Sequence, residues 1–119
     1  MTEQGAPRYE TPVKITDVFL GLEDHGIFTM TLDVDFGGSA MKIGGYNPQG
    51  DSGFAAAFIR GVLQATGSND IARVKGKVVL LVTSTHPNNP GRVGVLGIRQ
   101  MPFDGGAEFL FEETAARYR

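Results

Sequence analysis

Polar and apolar residues alternate most cleanly between Ile27 and Asp35. Phe28, Met30, Leu32 and Val34 fall on one side, and Thr29, Thr31, Asp33 and Asp35 on the other. A period of two is the signature of a strand with one buried and one wetted face. Upstream, Val13, Ile15, Val18, Phe19, Leu20 and Leu22 give a mixed alternation, and Val13 to Leu22 reads as the first strand. Ser39 to Tyr46 reads as the third, entered through Gly37-Gly38 and closed by Gly44-Gly45. A glycine pair suits a two-residue hairpin turn because both positions tolerate positive φ. These three segments predict a meander.

The period then changes. Phe54, Phe58, Ile59, Val62 and Leu63 recur at helical spacing and predict an amphipathic helix from about Gly53 to Thr66. Asp51 or Ser52 is placed to cap its start and Gly67 to stop it. Gly61 costs the helix about 1 kcal/mol against alanine and lets it sit close to the sheet. Asn69 to Val74 fits a single helical turn ended by Gly76. Lys77 to Thr83 is a fourth strand. Its continuous apolar run, Val78 to Val82, predicts a central position covered on both faces. Val93 to Gln100 is a fifth, with Gly94 and Gly97 marking bulges or close approaches. Pro102 to Gly106 reads as a turn. The expected fold class is α+β: a mainly antiparallel five-stranded sheet, β-β-β-α-β-β, with one amphipathic helix packed on it. Residues 1–12 read as a flexible arm, 13–106 as one domain, and 107–119 as a short helix or mobile tail.

Composition narrows the function classes. A chain of 119 residues, 41% apolar and 20% charged, fits a single globular domain. The net charge is −2, and the basic residues are scattered, with Arg73, Lys75 and Lys77 the densest group. That balance disfavours nucleic acid as a partner, since phosphate binding depends on clustered cations. The absence of cysteine excludes disulfides, thiolate nucleophiles and zinc-thiolate sites. The polar first dozen residues do not read as a secretory leader, and no apolar run reaches the ~20 residues of a membrane span. A cytoplasmic protein without membrane contact is therefore expected.

Candidate chemistry is sparse. Glu23, Asp24 and His25 stand together at a predicted hairpin, where a histidine oriented by carboxylates would serve as a base or ligand. Adjacent residues diverge, however, and a polar turn with Gly26 at positive φ explains the same letters. Gly37-Gly38-Ser39 and Gly44-Gly45-Tyr46 resemble anion cradles, but neither follows a phosphate fingerprint and hairpin glycines account for both. Tyr46 and the start of the helix form the best position for a small anionic ligand. Ser39, His25 and an aspartate lack the sequence of a nucleophile elbow. Glu23, Asp24, His25, Ser39 and Tyr46 are accordingly candidate ligand-binding residues. No catalytic group, metal or cofactor is expected.

The order of landmarks resembles a family. Gly21-Leu22-Glu23-Asp24-His25-Gly26-Ile27 is followed by Asp35-Phe36-Gly37-Gly38-Ser39, then Gly44-Gly45-Tyr46, the helix, and Val74-Lys75-Gly76-Lys77. This is similar to a family of small phage- and prophage-encoded proteins of unassigned function. Phe36 stands where the family commonly has tyrosine. The resemblance covers roughly residues 13–103 and implies a viral context and a shared fold, with no reaction attached. The expected function is a non-enzymatic binding protein acting on a host or phage macromolecule, with inhibition of host defence as one form. A nucleotide or small-ligand binder, and an accessory protein of phage nucleic-acid metabolism, are the alternatives. A free strand edge invites self-pairing, so a homodimer also fits the pattern.

Overall fold

The computed structural model describes residues 8–22, 28–35, 39–44, 52–84 and 94–117. The strands are β1 (Tyr9–Leu22), β2 (Phe28–Asp35), β3 (Ala40–Gly44), β4 (Val78–Thr83), β5 (Val95–Arg99) and β6 (Glu108–Leu110). The helices are α1 (Ser52–Thr66) and α2 (Phe111–Ala116). All strands lie in one antiparallel sheet of order β3-β2-β1-β4-β5-β6. The α+β class and the main helix agree with the sequence reading. The sheet has six strands where five were expected. The extra one is β6, drawn from the segment expected to be a short helix or tail, with α2 directly after it. Gly97 makes that pairing possible. A Cβ there would strike the Phe109 carbonyl oxygen, so only glycine lets β6 lie against β5. The first strand begins at Tyr9, inside the expected arm, because Tyr9 to Pro12 pair with Thr83 to Leu80.

β1 belongs to two half-sheets. Tyr9 to Lys14 pair with β4, whereas Lys14 to Leu22 pair with β2. The change comes at a bulge, where the register slips between Ile15 and Asp17 and leaves Thr16 as the extra residue. Bulges of this kind bend a strand and increase its twist. Thr16 spends its hydroxyl on the Asp33 carbonyl at 3.2 Å.

The core lies between the helices and one face of the sheet. Met30, Leu32 and Val34 are buried in one cluster with Phe54, Phe58 and Val62, as the alternation and the helical stripe implied. Val13, Ile15, Ile43, Val79, Leu81 and Ile98 complete its sheet side. Phe58 holds the centre, with its ring 5.0 Å from Phe109 edge-on and 5.6 Å from Phe111 stacked. Such pairs add about 0.5–1.5 kcal/mol beyond burial. α1 ends as expected at Gly67, where the Gly67 amide donates to Gln64 and the Ser68 amide to Leu63. The opposite face of the sheet departs from the expected wet surface. Thr29 and Thr31 are buried. Phe19 shares their face by register, and its ring folds back over Gly21. Asp33 keeps the expected polar role, bridging to Lys42 at 3.0 Å.

Candidate docking surface

Of the residues singled out in the sequence, Glu23, Asp24, His25 and Tyr46 lie outside the described residues, as do Gly37, Gly38 and Asp51. Ser39 is described and exposed. It precedes Ala40, which pairs with Asp35 at one end of β2, while Leu22 pairs with Phe28 at the other. Those ends are separated by the length of the strand, roughly 23 Å at strand rise.

A surface that the sequence reading did not identify forms where β1 outruns β4. The segment after α1 makes a turn of 3-10 helix at Ile71–Arg73. Ile71 packs on the core and Val74 is fully buried, so the turn is anchored from below. It then docks edge-on against β1. The Gly76 amide donates to the Ile15 carbonyl at 2.7 Å, and the Ile15 amide to the Lys77 carbonyl at 2.8 Å. This exchange continues the β1–β4 ladder by one residue and stops at the bulge.

Beyond it, among the described residues, β1 pairs only with β2. The Val18 amide is satisfied locally, by the Asp17 carboxylate at 3.0 Å. Val18, Leu20 and Leu22 share the face of their partners Leu32, Met30 and Phe28. Burial falls off along this row: Val18 packs on the core, Leu20 is 38% exposed and Leu22 67%. A groove of about 350 Å³ runs between this strand and the turn, lined by Asp17, Val18, Leu20, Ile71, Ala72 and Lys75. Val18, Leu20, Ile71 and Ala72 give it an apolar lining. Asp17 is committed to the Val18 amide, and Lys75 has no ion pair among the described residues. Of the other cations in that basic group, Arg73 is held by Asp70 at 3.2 Å, and Lys77 is exposed.

A second concavity of about 420 Å³ is bordered by Gly76 and Lys77, after the turn, and reaches Val78, Met101 and Phe103. Phe103 is 80% exposed at the tip of the β5–β6 connection, and Val78 is 50% exposed. A third, polar groove of about 470 Å³ lies between α1, β6 and α2. Among its charges, Glu113 and Arg117 pair with each other at 3.2 Å, and Glu108 pairs with Arg8.

The groove's apolar strand residues, Val18 and Leu20, belong to the mixed alternation read for the first strand, but the groove itself is set by how far β1 outruns β4. Among the described residues, no group of three or more His, Cys, Asp or Glu is placed to hold a metal ion. No helix there is long and apolar enough to cross a membrane. No protein family, curated protein or solved structure matches the chain.

Proposed function

We propose that this chain is a non-enzymatic, phage-encoded binding protein that engages a host or phage protein in the bacterial cytoplasm. The observation that supports this reading is the row Val18, Leu20 and Leu22, which leaves the core and ends in solvent beside an apolar-walled groove. Exposed leucines in a continuous row cost solubility and are a common mark of protein-binding surfaces. Phe103 and Val78, beside the residues that follow the turn, offer a second apolar foothold of the kind that anchors interfaces. The phage assignment rests on the motif resemblance from Gly21 to Tyr46.

The test is comparative. Tagged wild-type protein and the exposed-site variants Leu22→Ser and Phe103→Ser are incubated with host lysate, and the retained proteins are identified and rebuilt from purified components. A protein kept by wild type and lost by Leu22→Ser supports the reading. Identical retention by all three forms, or a reconstituted complex indifferent to Leu22→Ser, rules out this surface as the binding site.

A further inference from the structure

We propose that Pro12 is a guard built into the fold. It closes a side of β1 that the sheet leaves open near the start of the strand, and so keeps a second copy of the chain from adding there as a further strand.

The opening comes from the way β1 changes partners. Its neighbours β2 and β4 lie on opposite sides of it. Tyr9 to Lys14 pair with β4, but β2 joins the other side only at Lys14, which pairs with Asp35. Among the described residues, Tyr9 to Val13 therefore have no strand on the β2 side. A strand bare on one side is a template for pairing with another chain.

Which backbone groups face that side follows from the ladder. Successive residues of an antiparallel strand turn their N–H and C=O to alternate sides. Ile15 faces the β4 side, because its amide donates to the Lys77 carbonyl at 2.8 Å and its carbonyl accepts from the Gly76 amide at 2.7 Å. Counting back, Val13, Thr11 and Tyr9 also face β4, whereas Lys14, Pro12 and Glu10 face away from it. At Lys14 the chain has reached β2. Proline has no N–H to give. At Pro12 the β4 ladder therefore loses nothing, while the open side loses a donor and meets the ring where an incoming carbonyl would sit. Proline at Tyr9, Thr11 or Val13 would instead remove a donor from the β4 ladder. A sheet accepts proline where its nitrogen points off the ladder, and Pro12 is such a place, with its side chain exposed.

The stretch beyond the bulge is treated differently. There the Val18 amide donates to the Asp17 carboxylate at 3.0 Å, a bond that can open. The donor missing at Pro12 cannot be restored by any motion of the chain, so the block there is permanent.

Pro12→Thr restores the donor with a residue suited to strands. Sedimentation across a concentration series reads its self-association, and circular dichroism reads its fold. A symmetric pairing gains one N–H from each copy, so self-association should strengthen at least about tenfold over wild type. Adding Glu10→Pro to Pro12→Thr returns a proline to the same side and should bring association back to the wild-type level. A further arm uses the wild-type protein alone. In native-state hydrogen exchange the Glu10 amide, on the open side, should exchange at least about tenfold faster than the Val13 amide, which faces β4. The proposal is overturned if Pro12→Thr folds and associates no more than wild type, if its association persists with Glu10→Pro, or if the Glu10 amide is protected as well as that of Val13. Should Pro12→Thr fail to fold, the exchange arm decides alone.

Discussion

Two glycines hold α1 and β6 against the sheet by having nothing to offer but space. A Cβ on Gly61 would be driven into the Phe109 ring, which is itself buried under the helix. Alanine there gains about 1 kcal/mol of helix propensity. Overpacking a dense core costs about 1–3 kcal/mol. The ring has Phe58 and Phe111 against it and little room to yield, so the clash wins. Gly61→Ala is expected to destabilise by about 1 kcal/mol net in urea unfolding. A stabilised variant would mean that the helix is free to lift. Gly97→Ala is the harsher change, since the obstacle is the β6 backbone rather than a side chain. About 3 kcal/mol is expected, in the range of strained or broken backbone pairings. The loss should be accompanied by faster amide exchange at Gln100, whose N–H bonds to Ala107 across the turn.

At the scale of elements, β1 is divided into a locked half and an exposed half. Ile15 is fully buried and exchanges two short hydrogen bonds with the Gly76 turn. Among the described residues, the Val18 amide has its neighbour's carboxylate alone, at a partly exposed position. Native-state hydrogen exchange should therefore find the Ile15 amide protected by the global unfolding reaction. The Val18 amide should exchange at least tenfold faster, through local fraying. Equal protection would show that the outer half is paired after all, and the groove argument would go with it. This division also explains what could be read in advance. β2 was legible because Met30, Leu32 and Val34 each have one job, and β4 because every position from Val79 to Thr83 is buried. The expected wet face failed at Thr29 and Thr31, which are buried, because a threonine's own place in the alternation does not disclose what its neighbouring strand brings to that face, here Phe19 opposite Thr31. β6 was missed because three residues are too few to show a period, and their pairing depends on the distant Gly97. The docking groove was missed because it is a mismatch in length between β1 and β4, a property of two segments rather than of either. The residues first suspected, from Glu23 to Tyr46, lie mostly outside the described residues, with Ser39 exposed at the start of β3.

For the molecule as a whole, the outer face of the sheet raises a question of cover. Leu80 and Val82 are buried on the side away from the helices, where the register sets them beside Arg99 and Glu10. Arg99 lies across this face with its guanidinium on Glu10 at 3.1 Å and on the Gly106 carbonyl at 3.2 Å. Arg8 joins Glu10 to Glu108, so the group ties the first strand to β5 and β6, its most distant partners in sequence. The charges themselves are about one-third exposed, and exposed pairs contribute only about 0–1 kcal/mol each. The larger share should come from the arginine stem, which covers the two aliphatic side chains while its head stays wet. Substitution separates the two. Arg99→Met keeps a long apolar stem and loses the ion pairs, whereas Arg99→Ala loses both. Arg99→Met is expected to cost under about 1 kcal/mol, and Arg99→Ala about 2 kcal/mol, with both values nearly unchanged between low and high salt. If Arg99→Met proves as damaging as Arg99→Ala, and the wild-type advantage shrinks as salt is raised, then charge rather than cover closes the sheet at this face. The chain would then depend on ionic strength to hold its first strand against its last.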